Sequence, residues 1–107
     1  MKRALFICSA NRLRSPTAEQ VFSRWPGVET DSAGLSNDAT TVLSPEQLRW
    51  ADVIFVMGKA HRNKLSQRFK AHLGGKRVVC LEIPDDYDFM DPALVRLLEA
   101  KAGPFLR

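Results

Sequence analysis

The sequence Cys8-Ser9-Ala10-Asn11-Arg12-Leu13-Arg14-Ser15-Pro16 connects an apolar run to a helical pattern. Before it, Ala4-Leu5-Phe6-Ile7 is a continuous apolar run that predicts a short buried strand. After it, apolar residues recur at helical spacing on one stripe: Ala18, Val21, Phe22 and Trp25. The pattern therefore places a cysteine and an arginine on a turn between the end of a strand and the start of a helix.

The chemistry of this turn follows from its position at the start of a helix. Free N–H groups and a partial positive charge at a helix N-terminus bind anions, and with a nearby arginine they favour the thiolate form of a cysteine. Cys8 is therefore predicted to be a nucleophile. Arg14 can bind two oxygens of a phosphate-like group at once. Ser15 and Pro16 are predicted to be the N-cap and the first residue of the helix.

Strands alternate with helices along the rest of the chain. The predicted strands cover residues 3–7, 28–32, 53–57 and 77–81. Further helices are predicted from the N-cap Ser44 to about Trp50, from Lys59 to Leu73, and from the N-cap Asp91 to the break at Gly103-Pro104. This alternation predicts an α/β fold of three layers, in which a four-stranded parallel sheet has helices on both faces.

Composition is that of a small globular protein. A chain of 107 residues with 45% hydrophobic residues is expected to form one domain, residues 1–107. The net charge of +4 suits an anionic substrate without identifying one. No apolar run approaches the roughly 20 residues that span a bilayer, so no membrane association is expected. We expect a cytoplasmic protein in which Cys8 and Cys80 are reduced.

The helix from Lys59 to Leu73 is predicted to have one apolar and one basic face. Leu65 and Phe69 lie on the apolar face, whereas both histidines, His61 and His72, are assigned to the basic, solvent-exposed face. Such a face is more often solvated than bound to nucleic acid, so no nucleic-acid partner is expected. No group of side chains has the spacing of metal ligands, and no metal or other cofactor is expected.

Four motifs, in this order, resemble those of the low-molecular-weight protein tyrosine phosphatases. The first is Cys8 to Pro16, with a cysteine, five residues, an arginine and a serine, and with Asn11 in the middle. The others are Asp31-Ser32-Ala33-Gly34, Ala51-Asp52-Val53-Ile54-Phe55-Val56-Met57 and Ile83-Pro84-Asp85-Asp86-Tyr87. Together they cover most of the chain. The resemblance implies a flavodoxin-like strand order of 2-1-3-4, with the ligand at the carboxyl end of the first strand.

The resemblance also implies a reaction and roles for individual residues. It implies hydrolysis of phosphate monoesters, protein phosphotyrosine among them, through a phosphocysteine on Cys8. Arg14 would bind the phosphate oxygens, and Asp85 would be the general acid and base, with Asp86 as the alternative. Tyr87 would line the entrance for the substrate. The remaining substrate-binding residues lie in the loop: Ser9, Ala10, Asn11, Arg12, Leu13 and Ser15, of which Asn11 would hold the loop conformation and Ser15 would bond the thiolate.

The sequence departs from the family's pattern in two places. Ala10 stands where glycine is usual, and Arg12-Leu13 stands where the family has an apolar residue and often a cysteine. The segment between Gly34 and Ala51 is shorter than in typical members, where it carries an aromatic residue that flanks the phenyl ring of phosphotyrosine. The resemblance thus implies the phosphatase chemistry without this part of the phosphotyrosine site.

Two other functions fit the same residues. An arsenate reductase would use Cys8 on arsenate and would pass a disulfide to a further cysteine, for which only Cys80 is available. A non-catalytic module would use the loop to bind an oxyanion or a phosphoprotein. Phosphate release that depends on Cys8 separates the phosphatase from the binding module, and thiol-dependent arsenate turnover identifies the reductase.

Overall fold

Four parallel strands form one sheet in the computed structural model, which describes all residues from Met1 to Arg107. The strands are β1 (Lys2–Cys8), β2 (Val28–Gly34), β3 (Val53–Val56) and β4 (Arg77–Cys80). The helices are α1 (Arg14–Phe22), α2 (Pro45–Trp50), α3 (Lys59–Phe69) and α4 (Pro92–Ala102), with 3-10 turns at Lys70–His72 and Gly103–Phe105. The sheet order is β2-β1-β3-β4. The predicted α/β fold and strand order are confirmed.

β1 is buried on both of its faces, which explains its unbroken apolar sequence. Phe6 packs on the side of α1 and α4, where its ring stacks 5.6 Å from Phe22 and 5.0 Å from Phe55. Leu5 and Ile7 pack on the opposite side, in the cluster that includes residues of α2 and α3. Because burial of each such side chain stabilises the fold by about 1.5–3 kcal/mol, this strand anchors both layers of helices.

The strand order places a crevice at the carboxyl end of β1. The chain leaves β1 through α1 to reach β2 on one side, and then crosses through α2 to β3 on the other. Loops that leave in opposite directions open a binding crevice at this switch point. Cys8 is the last residue of β1, and its register partner on β2 is Gly34. The fold therefore holds the turn after Cys8 where a ligand can enter.

The helix ends differ from the prediction in two cases. α1 begins at Arg14 with Leu13 at the N-cap position and has no side-chain cap, so the assignment of Ser15 as the N-cap is wrong. α3 ends at Phe69, and a 3-10 turn replaces the predicted last turn. The caps at Ser44 and Asp91 are confirmed by side-chain bonds to backbone N–H groups. None of the helices combines the length and apolar character that crossing a membrane requires.

Candidate active site

A cavity of about 210 Å³ lies at the carboxyl end of β1. It is lined by Cys8, Ser9, Ala10, Arg12, Leu13, Arg14 and Asp85. We call residues 8–14 the Cys8 loop. A cavity of about 360 Å³ lies beside α1 against Phe89, but its lining residues include no cysteine or arginine. The smaller cavity is the candidate site because it alone brings a nucleophile, a cation and a carboxylate together.

Two groups lie within hydrogen-bond distance of the Cys8 sulfur, one in the Cys8 loop and one at the start of α1. The backbone N–H of Asn11 donates to Sγ at 3.3 Å, and Ser15 Oγ lies 2.9 Å from Sγ. Only 3% of the Cys8 surface is exposed. A hydrogen bond to a charged acceptor is stronger than one to a neutral acceptor. The predicted contact between Ser15 and Cys8 is present.

Asn11 fixes the direction of the hydrogen bonds around this sulfur. Its Oδ1 accepts the backbone N–H of Thr41 at 3.2 Å, which sets the orientation of the amide. Its Nδ2 then donates one hydrogen to Ser15 Oγ and the other to Ser32 Oγ, each at 2.9 Å. Since Ser15 accepts from Asn11, it is free to donate its own hydrogen to Cys8. Asn11 has φ of +55°, a conformation that asparagine tolerates better than most residues.

The same chain of bonds continues away from the cavity to Glu19. Ser32 Oγ accepts from Asn11 and donates to the Glu19 carboxylate. Glu19 lies on α1 and Ser32 on β2, so this bond joins the helix that follows the Cys8 loop to the neighbouring strand. No motif in the sequence points to Glu19. Ser32 lies in the second of the four motifs, and only the three-dimensional contact connects it to Cys8.

The short segment after β2 supports the outer side of the Cys8 loop. Backbone N–H groups of this segment donate to the carbonyls of three loop residues at 3.0–3.1 Å: Leu35 to Cys8, Ser36 to Ser9 and Thr40 to Ala10. Gly34 permits this close approach, because a Cβ at its position would overlap the Ser9 carbonyl oxygen. The shortened segment therefore holds the loop through backbone bonds, which need no particular side chains.

Arg14 is held at the cavity by two groups from the loop after β4. Its Nη1 donates to the carbonyl oxygen of Ile83 at 2.8 Å, and its Nε lies 3.4 Å from Asp85 Oδ1. Arg14 is only 9% exposed, whereas the side chain of Asp85 is 67% exposed. An ion pair with one exposed partner is worth at most about 1 kcal/mol. Asp85 can thus turn towards a ligand while Ile83 keeps Arg14 in place.

The other predicted residues of the acidic loop lie away from the cavity. Asp86 is exposed and does not line the wall, so the geometry favours Asp85 over it. Tyr87 is half-buried, packs against the core cluster on the α1 side and is not among the residues that line the cavity, so its place at the entrance stays a prediction. No three His, Cys, Asp or Glu side chains come together as a metal site.

Arg12 lies on the cavity wall and reaches the segment after β2. Its Nη2 donates to the carbonyl oxygen of Asp38 at 3.2 Å. The hydroxyl of Ser36, then the backbone N–H of Asp38 and the charge of Arg12, lower the pKa of the Asp38 carboxyl below its ordinary value. The guanidinium of Arg12 is therefore held against the segment after β2, beside the Asp38 carboxyl.

Cys80 and Cys8 lie on different strands of the sheet that are not neighbours. It lies on β4, where it pairs with Val56 of β3, and both cysteines are free thiols. One strand, β3, lies between β1 and β4, so two strand spacings separate them, which corresponds to about 10 Å. A disulfide requires Cα atoms within about 7 Å. The arrangement offers no internal partner for a cysteine relay.

His61 is buried, so its predicted place on the solvent-exposed face of α3 is wrong. It is 7% exposed, and its Nε2 lies 2.9 Å from Ser9 Oγ. Burial, followed by the charges of Arg14 and Lys64, lowers the pKa of His61 below its ordinary value. The signal was in the sequence: His61 lies four residues before Leu65, so it continues the apolar stripe of the helix.

Comparison with known proteins finds no matching family model and no matching curated sequence, but several solved structures superpose over nearly the whole chain. The tyrosine phosphatase Wzb from Escherichia coli K30, in complex with phosphate, has a TM-score of 0.78 at 22% identity over 97% of this chain and 95% of its own. The low-molecular-weight protein tyrosine phosphatase SP-PTP from Streptococcus pyogenes has a TM-score of 0.78 at 17% identity, over 99% and 91%.

This chain has the fold of the low-molecular-weight protein tyrosine phosphatases. The YwlE arginine phosphatase from Geobacillus stearothermophilus is a further similar structure, with a TM-score of 0.73 at 23% identity over 99% of this chain and 94% of its own. Within the low-molecular-weight phosphatase fold, this chain brings Cys8, Arg14 and Asp85 to one cavity.

Proposed function

We propose that this chain is a cysteine-dependent phosphatase that hydrolyses phosphate monoesters within a single domain of 107 residues. The observation that carries the proposal is the environment of the Cys8 sulfur. Two donors converge on it at the floor of a cavity that also holds Arg14 and Asp85. A thiolate facing a guanidinium is the arrangement that attack on a phosphate dianion requires.

The first step transfers the phosphoryl group to sulfur. The Cys8 thiolate attacks phosphorus, an S–P bond forms, and the bond from phosphorus to the leaving oxygen breaks. Asp85, as the carboxylic acid, gives its proton to that oxygen, so that an alcohol or phenol departs. Arg14 and the backbone N–H groups of the Cys8 loop stabilise the charge on the three equatorial oxygens.

The second step returns the enzyme to its starting state. The Asp85 carboxylate takes a proton from water, the water oxygen attacks phosphorus, and the S–P bond breaks to regenerate the thiolate and release inorganic phosphate. Asp85 suits both steps because it lines the cavity and its exposed side chain is held only by the weak pair with Arg14.

The loop is proposed to bind the phosphate through its backbone and to hold itself in shape through buried side chains. Ser9, Ala10, Arg12 and Leu13 line the cavity with their backbone N–H groups available for oxygens. Asn11 and Ser15 are buried beneath it and act through Cys8. A phosphorylated protein or small molecule is the proposed partner, in the cytoplasm.

The charge of the wall favours an ester over a phosphorylated arginine as substrate. The structural neighbours include both tyrosine and arginine phosphatases. Arg12 and Arg14 both lie on the cavity wall of this chain. A guanidinium leaving group would add a positive charge to a wall formed in part by Arg12 and Arg14, which costs free energy that a phenol or alcohol avoids. We therefore propose that phosphate monoesters are the better substrates.

Release of nitrophenol from para-nitrophenyl phosphate tests the proposed function. The wild type is expected to turn over, whereas Cys8→Ser and Arg14→Lys lose activity. Cys80→Ser is the matched control, because Cys80 is the other free thiol and lies outside the cavity. Turnover that survives in Cys8→Ser, or a wild type that binds phosphate without hydrolysing any ester, would refute it.

A further inference from the structure

We propose that His61 is a positioning residue that turns the Ser9 hydroxyl into a hydrogen-bond donor for the bound oxyanion. The two side chains meet at the cavity although 52 positions separate them, with His61 Nε2 2.9 Å from Ser9 Oγ. Ser9 lines the cavity beside Cys8. The inference extends the proposed function, since it takes the oxyanion to be phosphate.

The other ring nitrogen of His61 indicates which tautomer is present. Nδ1 is buried and has no hydrogen-bond partner. It faces the N-terminus of α3, where a Cβ added to Gly58 would lie 3.5 Å from it. Gly58 is the N-cap of this helix and provides no side-chain cap. The partial positive charge of a helix N-terminus favours a lone pair over an N–H group at Nδ1. The ring hydrogen therefore belongs on Nε2.

The charged groups around the ring keep it neutral. Arg14 at the start of α1 and Lys64 on α3 both disfavour an imidazolium, whereas Asp85 in the loop after β4 favours it. Burial of the ring also disfavours the imidazolium and has the largest effect. The pKa of His61 therefore lies below its ordinary value. A neutral ring with its hydrogen on Nε2 is thus the form present at neutral pH.

This tautomer determines what Ser9 can do. Nε2–H donates to Ser9 Oγ, so the serine accepts from His61 and its own hydrogen remains free. Ser9 Oγ makes no other hydrogen bond within the protein. The Ser9 backbone is held by Ser36, whose N–H donates to the Ser9 carbonyl at 3.0 Å. A fixed hydroxyl with a free hydrogen at the cavity wall is an oxyanion donor in addition to the loop backbone.

Binding of inorganic phosphate, measured by calorimetry at neutral pH, tests the pair without requiring turnover. Ser9→Ala and His61→Asn are each expected to weaken binding about tenfold, as for loss of one hydrogen bond to a charged group. The double variant is expected to bind no more weakly than either single variant, because the two residues supply one donor. His61→Gln is the matched control, since its amide can place an N–H near the position of Nε2, and it should retain nearly wild-type affinity.

Two results would overturn the inference. One is an unchanged affinity in Ser9→Ala, a surface substitution that leaves the core intact. The other is a double variant whose loss is the product of the two single losses, about 100-fold. If His61→Asn does not fold, nitrogen-15 NMR of the wild-type ring decides instead: a hydrogen on Nε2 supports the inference and one on Nδ1 refutes it. If the losses of phosphate affinity in Ser9→Ala and His61→Asn are not additive but the wild type hydrolyses no ester, the proposed function is contradicted and the inference about His61 is not.

Discussion

Ser15 Oγ lies 2.9 Å from Cys8 Sγ, and because Ser15 Oγ accepts a hydrogen bond from Asn11 Nδ2, its own hydrogen is free to be donated to the sulfur. The amide of Asn11 is in turn oriented by the backbone N–H of Thr41. A backbone group in the segment after β2 therefore orients the amide that binds Ser15 beside the Cys8 sulfur. The Cys8 sulfur lies at the end of this chain of hydrogen bonds.

Removal of the serine hydroxyl should slow the chemical step. Ser15→Ala deletes one of two donors to the sulfur, and a hydrogen bond to a charged group contributes about 1.5–3 kcal/mol. We expect kcat on para-nitrophenyl phosphate to fall about 10- to 100-fold, with KM nearly unchanged. Ser23→Ala is the control, because Ser23 is exposed and its hydroxyl bonds only the Gln20 carbonyl. An unaltered kcat in Ser15→Ala would show that this donor does not act on the nucleophile.

Asn11 serves the loop through both its amide and its backbone conformation, and two substitutions separate these. Asn11→Gly and Asn11→Ala both lose the amide, so both should lose most activity. Only alanine is strained at φ of +55°. The unfolded state of the glycine variant has more entropy, which offsets part of this strain. Asn11→Ala should therefore be less stable than Asn11→Gly by about 0.5–1 kcal/mol. Urea denaturation measures the difference, and an alanine variant as stable as the glycine variant would argue against a strained position.

The acid role of Asp85 predicts a dependence on the leaving group. Asp85→Asn should lower kcat/KM about 10²- to 10⁴-fold on an alkyl phosphate, whose leaving oxygen needs a proton. The loss should be smaller on para-nitrophenyl phosphate, because nitrophenolate departs without one. Asp86→Asn is the neighbouring control, since Asp86 does not line the cavity. A larger loss in Asp86→Asn than in Asp85→Asn would transfer the role to Asp86.

The environment of His61 predicts a pH dependence of stability. Burial, and then Arg14 and Lys64, lower its pKa in the folded state below the ordinary value of 6.5. The unfolded chain therefore binds a proton at higher pH than the folded chain does. The wild type should lose free energy of unfolding relative to His61→Gln as the pH falls below about 6.5. Urea denaturation of both proteins at several pH values measures this, with His72→Gln as the control for loss of an imidazole elsewhere. If the difference in free energy of unfolding between the wild type and His61→Gln stayed constant with pH, the prediction would be contradicted.

The fold could be predicted from the sequence because its signals are local. The apolar run of β1 and the caps at Ser44 and Asp91 predicted elements whose ends agree within a few residues. The order of the strands came from the family resemblance and is confirmed. Cys8 and Arg14 could be placed at one site because a single loop holds both.

Features that depend on distant contacts could not be predicted in this way. Ser15 has the sequence signature of an N-cap, but Leu13 takes that position, and the contact of the Ser15 hydroxyl with Cys8 was implied by the family resemblance and not by the local pattern. Tyr87 lies in an acidic loop, yet it is half-buried and packs against the core cluster on the α1 side. His61 was assigned by its polarity to the wrong helix face, although its spacing from Leu65 indicated burial. In each case a tertiary contact outweighed the local preference of the residue.

Detection of a phosphorylated Cys8 during turnover tests the central claim most directly. Wild-type protein mixed with para-nitrophenyl phosphate, quenched rapidly and digested, should give a peptide containing Cys8 that carries one phosphoryl group, measured by mass spectrometry. The peptide containing Cys80 should carry none. Steady hydrolysis of the ester without a phosphoryl group on Cys8, and at an equal rate in Cys8→Ala, would contradict the account.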